Sequence, residues 1–469
     1  VNAEAAVSDT GAQFAEMFAA MDDSYMQARA ADIRDISARV IGILTGEGES
    51  GIVSDVPCIV AADDLAPSET VQLDKALILG FITAGGSANS HTAILARTMG
   101  IPAIIGAGEA LQPEMEGKYA IIDGQTGEAV IEPDDAERER LLKKQAKEKA
   151  LKELLDQLKG KPNVTKDGRN VMVYCNIGSP ADIDAVLQND GGGIGLFRSE
   201  FLYLQGSDYP TEDEQFEAYK TVAEGLTGKP VIIRTLDIGG DKEIPYMGLT
   251  KDENPFLGYR AIRFCLDRKD DVYKPQLRAL LRASAYGNIK IMVPMVTCIE
   301  ELREAKALIE ESKKELDEQN IPYKKDIEVG IMVETAAASL MADVFAKEAA
   351  FFSIGTNDLT QYTMSVDRGN DKVSYLYSTF NPAVLRSIKR IITCGREAGI
   401  MVGMCGEAAS DPLMIPLLLA FGLNEFSMSA SAILYSRKLI TGYSTQELQA
   451  VADKAMSFAT AAEVELYIR

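Results

Sequence analysis

The sequence predicts an α/β protein: a C-terminal (β/α)8 TIM barrel, a small α/β domain before it, and a partial helical domain at the start. Three observations predict this. Beyond residue 165, eight apolar runs alternate with helical stretches: VMVYCNI, GIGLF, VIIRTLDI, KIMVPMV, VGIMVE, FFSIG, MVGMC and NEFSM. Residues 51–131 carry shorter apolar runs between turns: PCIVAADD, KALILGFITAGG, IPAIIGAG and YAIIDGQTGEAVIEP. Residues 12–45 place Phe14, Met17, Phe18, Met21 and Tyr25, then Ile33, Ile36, Val40 and Leu44, three or four apart, with a break near Asp22 and Asp23.

The eight runs lack the polar alternation of a half-solvated sheet, so each strand is covered on both faces. Eight such strands with helical crossovers over about three hundred residues fit a closed barrel better than an open sheet. The cluster DGGGIG at 190–195 does not complete a dinucleotide fingerprint and reads as a turn into the second strand. Residues 51–131 mix strand and helix signals in one compact unit, and the amphipathic helices of 12–45 require a cover. Between these parts, DDAERERLLKKQAKEKALKELLDQLKG at 134–160 is rich in helix formers, with Glu139 and Glu148 each four residues before a lysine. It reads as a solvated helical connector about 40 Å long. The predicted domains are therefore 1–45, 46–133, a linker over 134–162, and 163–469.

A chain of 469 residues has room for about three domains. Its net charge of −22 argues against nucleic acid and anionic membrane faces as partners, so an anionic substrate must meet a local arginine cluster. The longest apolar candidate, MIPLLLAFGL at 414–423, is too short to span a membrane, and no signal-peptide pattern opens the chain. Six cysteines without CxxC pairs disfavour zinc and a disulfide framework and fit a reducing cytoplasm.

His91, the only histidine, lies in GGSANSHTAILARTMGIPAI, at the first turn of a helical pattern that Asn89 or Ser90 can cap and that Ile94, Leu95 and Met99 pack. The unpaired N–H groups and positive dipole end of a helix start suit a phosphate carried on the ring, although an isolated histidine is more often a cap or packing residue.

In a barrel, polar residues just after the strands gather at one mouth. Here those positions hold Arg198, Arg234 with Asp237, Glu334, Asn357, Asp358, Arg368 and Cys405. Three converging arginines need an anion, and the guanidinium fork matches phosphate and carboxylate, so a small ligand bearing both is expected. Glu334 and Asp358 match the habit of magnesium, with salt bridging to the same arginines as the alternative. Cys405 either packs or transfers a proton at the mouth.

The chain resembles the phosphoenolpyruvate-protein phosphotransferases, Enzyme I of the bacterial sugar phosphotransferase system, from end to end. The resemblance rests on ARAADIRDI at 28–36, PSET at 67–70, SHTAILAR at 90–97, GLFRSEFLY at 195–203, IRTLDIGGDK at 233–242, ENPFLGYRAIRF at 253–264, IMVETAAA at 331–338, FFSIGTNDLTQYTMSVDRGN at 351–370 and MCGE at 404–407. It implies that His91 accepts the phosphoryl group and that Arg198, Arg234, Asn357, Asp358 and Arg368 hold phosphoenolpyruvate. It further implies that Glu334 and Asp358 bind Mg2+ and that Cys405 protonates the enolpyruvate to pyruvate. Thr70 and Arg260 match positions near the two sites. The resemblance also implies a swivelling phosphohistidine domain, the histidine-containing phosphocarrier protein as partner, and a homodimer through the barrel.

Two departures stand out. The familiar GGRTSH is replaced by GGSANSH, with Ala88 at the arginine position. Residues 1–45 read as the remaining half of a carrier-docking helical domain, as in a truncated chain. The rival readings are a pyruvate phosphate dikinase or phosphoenolpyruvate synthase relative, and a non-catalytic phosphoenolpyruvate sensor.

Overall fold

The computed structural model describes residues 2–19, 24–45, 56–63, 65, 77–85, 92–93, 96, 100–239, 244–249, 252–370 and 372–469. The chain divides into two compact units, 1–150 and 151–469.

In the first unit, the helical pattern of the N-terminal segment becomes two helices, Ala3–Ala19 and Ser24–Thr45. They pack closely at Gly11, where a Cβ would run into the side chain of Ser37, whose hydroxyl donates to Ile33 O at 2.7 Å. Ala15 is buried, but Phe14, Met17, Ile36, Val40 and Leu44 remain exposed, so the pair covers only part of its own apolar surface. Next come β1 (Cys58–Ala62), β2 (Ile78–Thr83) and β3 (Ala103–Ile105), a parallel sheet in that order. Val60, Leu65, Ile78, Phe81 and Ala96 form its core. Strands β4 (Ala120–Asp123) and β5 (Glu128–Ile131) pair as a hairpin, turned at Gly127 with φ 72° and at Asp123, whose carboxylate accepts the Gln125 N–H at 2.9 Å.

The helix Asp135–Asp156 forms as the composition predicts. It is not solvated all round: Leu141 is buried, Lys144 pairs with Asp123, Arg140 pairs with Glu128, and Arg138 lies over the Tyr119 ring at 5.0 Å. Its first turns dock on the hairpin through contacts that charge spacing along the helix cannot reveal.

The second unit is the barrel. Strands β6 (Met172–Ile177), β7 (Ile194–Arg198), β8 (Pro230–Arg234), β9 (Asn288–Val293), β10 (Val329–Val333), β11 (Phe351–Ile354), β12 (Met401–Met404) and β13 (Glu425–Met428) close in chain order, all parallel, with β13 beside β6. Each of the eight apolar runs supplies one strand. Outward residues such as Val173, Phe197, Ile233, Ile331 and Phe352 join the shell under the helices, while Leu196, Ile232, Met292, Met332, Phe351 and Cys405 pack together as a separate inner plug. The apolar stretch at 414–423 is the buried helix Met414–Phe421, and no described helix is long and apolar enough to cross a membrane. All six cysteines are free thiols.

Candidate active site

Parallel strands deliver their C-terminal residues to the same end. Here that end holds a cavity of about 420 Å³ lined by Arg198, Arg234, Glu334, Asn357, Asp358, Arg368 and Cys405, with Glu200, Asp237 and Arg260 among the other walls. The barrel residues singled out from sequence all meet in this cavity. His91, Thr70 and Ala88 lie outside the described residues. Of the helical pattern after His91, Thr92, Ala93 and Ala96 are helical and buried.

Arg198 and Arg234 end β7 and β8 and are partners in register. Arg234 is buried, held by Glu200 and by Asp237 at 2.9 Å, and Asp237 also takes Arg260 at 2.8 Å. Burial opposes the charge on Arg234, and Glu200 with Asp237 outweigh it, so the pKa rises. Burial likewise opposes Arg260, and Asp237 followed by Asp358 outweighs it. The expectation that the arginines await an external anion therefore holds for only part of the set. Two of the mouth arginines are already compensated from within. Arg198, exposed at the rim, makes no ion pair among the described residues, and Arg368 approaches Asp358 only to 3.7 Å.

Glu200 was not legible as a partner, because it starts a helix and its pairing with Arg234 crosses from one strand-end to the next. Arg260 is aimed by local backbone. Ala261 adopts φ 52° and donates to Ile238 O at 3.0 Å, and Gly239, at φ 113°, leaves room for the Arg260 Cβ.

Glu334 follows β10 and is buried, with Oε1 accepting the Met295 N–H at 2.7 Å. Met295 itself sits at φ 55°, a conformation unusual for this residue type, which turns its N–H toward the carboxylate. Burial, then the charges of Asp358 and Asp237, push the Glu334 carboxyl well above its usual range, against Arg234 and the Met295 N–H. Asp358, in the first turn of the helix Thr356–Met364, is buried with no hydrogen bond to Oδ1.

Both carboxylates line the cavity, and Asp358 Oδ1, without a hydrogen bond and 3.7 Å from Arg368, leaves a divalent cation and a salt bridge both open to them. No cluster of three metal-binding side chains occurs among the described residues. Magnesium needs only one or two carboxylates, with water and substrate oxygens completing its shell.

Asn357 exchanges hydrogen bonds with Glu407: Nδ2 donates to Oε1, and Oδ1 accepts the Glu407 N–H, both at 3.3 Å. Arg368 is folded back to the cavity by a left-handed turn at Ser365, and its N–H donates to Gln361 Oε1 at 3.0 Å. Cys405, beyond β12, belongs both to the inner plug and to the cavity wall. Burial pushes its thiol up to about 12, so it holds its proton.

Residues 55–127 match the family model of the PEP-utilising enzyme, mobile domain, and residues 152–445 that of the PEP-utilising enzyme, PEP-binding domain. Phosphoenolpyruvate-protein phosphotransferases of Bacillus subtilis and Priestia megaterium are 48% and 46% identical to it, each covering 100% of this chain and 82% of the relative. That of Staphylococcus carnosus is 47% identical over 99% of this chain and 81% of its own length. The chain belongs to the phosphoenolpyruvate-protein phosphotransferases. Within this phosphotransferase family the cavity lies inside the PEP-binding segment, and β1 to β4 lie within the mobile one. The family names favour the first functional reading over the dikinase and sensor alternatives.

Proposed function

We propose that the chain takes the phosphoryl group of phosphoenolpyruvate onto His91, passes it to the histidine-containing phosphocarrier protein, and releases pyruvate. The observation that carries this is the meeting of arginines, paired carboxylates and a protonated thiol in one cavity. Arg198 and Arg368 engage the anionic substrate, with Arg234 held ready by Glu200 and Asp237, and Asn357 orients it. Glu334 and Asp358 would hold Mg2+, which when bound draws charge from the phosphoryl oxygens. Phosphoryl transfer depends mainly on such placement and neutralisation.

On departure of the phosphoryl group, Cys405 gives its proton to C3 of the enolate: the S–H bond breaks, a C–H bond forms, and pyruvate results. The mobile domain carries His91 to the barrel mouth and away again. A cytoplasmic setting and a homodimer complete the reading. Sedimentation of the full chain tests the dimer.

The deciding experiment incubates the chain with labelled phosphoenolpyruvate and Mg2+, with and without the carrier protein, and reads phosphate on each. Acid-labile phosphohistidine, transferable to the carrier, is expected. His91→Ala abolishes the label while phosphoenolpyruvate still binds the barrel. Label surviving in that variant overturns the acceptor assignment, nucleotide-dependent labelling of His91 favours the dikinase reading, and binding without labelling favours the sensor.

A further inference from the structure

The apolar run VMVYCNI carries one amide side chain, and it stands in the barrel lumen. Val173, Cys175 and Ile177 join the shell under the helices, so Asn176 on β6 points the other way, into the barrel. It is half-buried, is not part of the cavity wall, and has no role in the mechanism above. Its Nδ2 donates to Cys405 O at 2.9 Å and to Ser427 O at 3.4 Å, and its Oδ1 accepts the Ser427 hydroxyl at 2.6 Å. The two carbonyls can only accept, which leaves the hydroxyl to donate, so these partners fix which way the amide faces. Aspartate has the same shape but no N–H for either carbonyl.

Glycines make the room for this arrangement. A Cβ on Gly195 of β7 would strike the Ser427 hydroxyl, and also Glu425 Oε1 one layer below, while one on Gly403 of β12 would strike Glu425 Oε2. The bond to Cys405 closes a gap between strands. Pairing of β12 with β13 ends at Met404 with Phe426, one residue short of Cys405, and Asn176 reaches across β13 to hold the next carbonyl. From the other side, the Cys405 N–H donates to Ile354 O of β11 at 3.2 Å. Both peptide groups that flank the Cys405 Cα are therefore tied down. The thiol itself lies 3.9 Å from Ile354 O, a contact too long to aim it.

A thiol protonates an enolate when its S–H lies over one face of C3, and a misplacement of about 1 Å can cost about 10²-fold in rate. We propose that Asn176 is a positioning residue for the reaction: it holds Cys405 so that the thiol delivers its proton to a single face of the enolate. The S–H bond breaks, the C2–C3 electron pair of the enolate forms the new C–H bond, and the enolate oxygen becomes the carbonyl of pyruvate. Cys405 is left as a thiolate until water restores its proton. Asn176 touches no substrate and acts through the Cys405 backbone.

This role rests on Cys405 being the proton donor, and the test separates the two. Phosphoenolpyruvate carrying tritium at one defined C3 position is turned over once by the full chain with Mg2+ in D2O, and the pyruvate is trapped at once as lactate. The new methyl group carries H, D and T, and its handedness reports the face that was protonated. The parent is expected to give one hand; a mixture from the parent overturns the proposal. Asn176→Ala and the isosteric Asn176→Asp should give a mixture, because an enolate facing a misaimed thiol takes deuterium from solvent on either side. Their rate at saturation should fall on the order of 10²-fold with half-saturation unchanged, whereas a merely structural loss lowers the folded fraction without mixing the hands. Cys405→Ala should mix the hands as well. If it keeps one hand at the parental rate, the donor role fails and takes the positioning role with it. If Cys405→Ala mixes the hands but both Asn176 variants match the parent, only the positioning role is overturned. Should neither Asn176 variant fold, Ser427→Ala, which removes the hydroxyl that anchors the amide, decides by the same measurement: mixed hands support the positioning role, and a single hand overturns it.

Discussion

Arg198 and Arg234 stand side by side at the barrel mouth, yet their loss has different consequences. Arg198 is exposed and makes no ion pair among the described residues, so Arg198→Ala removes only charge offered to substrate. Phosphohistidine formation should fall on the order of 10²- to 10³-fold, with the denaturation midpoint unchanged. Arg234→Ala also strands Glu200 and Asp237 in the interior, and should lose about 3–5 kcal/mol of stability as well. Equal effects of the two variants on denaturation curves would contradict this division.

Glu425 gives a second test at this scale. Its carboxyl, raised by burial from 4.5 to about 8, keeps a proton that the unfolded chain releases. That contribution is full below the unfolded value and is lost as pH rises through about 8, a fall on the order of a few kcal/mol. Glu425→Gln should flatten this part of the stability profile, as measured by urea denaturation between about pH 5 and pH 8.

At the scale of the elements, the strands were legible because a barrel strand is covered on both faces and so reads as an uninterrupted apolar run. What the runs do not display is the tight lumen behind them. Gly195 and Gly403 interrupt two strands, and a glycine inside a strand signals close approach of another group. That group, Glu425, begins its strand like any rim charge. Gly403→Ala should destabilise the barrel by about 1–3 kcal/mol through overpacking. Adding Glu425→Ala should restore part of the loss, a non-additivity that a double-mutant cycle measures. Purely additive losses would mean that the two positions do not share the space. The helix Asp135–Asp156 teaches the same lesson: its existence follows from composition, but its docking through Leu141, Lys144 and Arg140 depends on a hairpin earlier in the chain.

At the scale of the molecule, two compact units divide at residue 150, and cooperative unfolding follows such units. Calorimetry of the full chain should resolve two transitions. Phosphoenolpyruvate with Mg2+ should raise only the one belonging to the barrel, since a ligand stabilises the unit that binds it. Removing divalent metal with a chelator should cancel that shift. A rise in the other transition alone would place the donor site outside the barrel.

The sequence by itself determined the eight-stranded barrel, the α/β unit before it and the gathering of Arg198, Arg234, Glu334, Asn357, Asp358, Arg368 and Cys405, because chain direction sends every parallel strand's last residue to the same end. Tertiary structure alone decided which charges are already matched within the protein and which remain for a ligand. Pairs such as Glu200 with Arg234, or Glu425 filling the space that Gly403 leaves, arise from strand register and lumen packing. Register and packing couple residues far apart in the chain, and no local spacing records them.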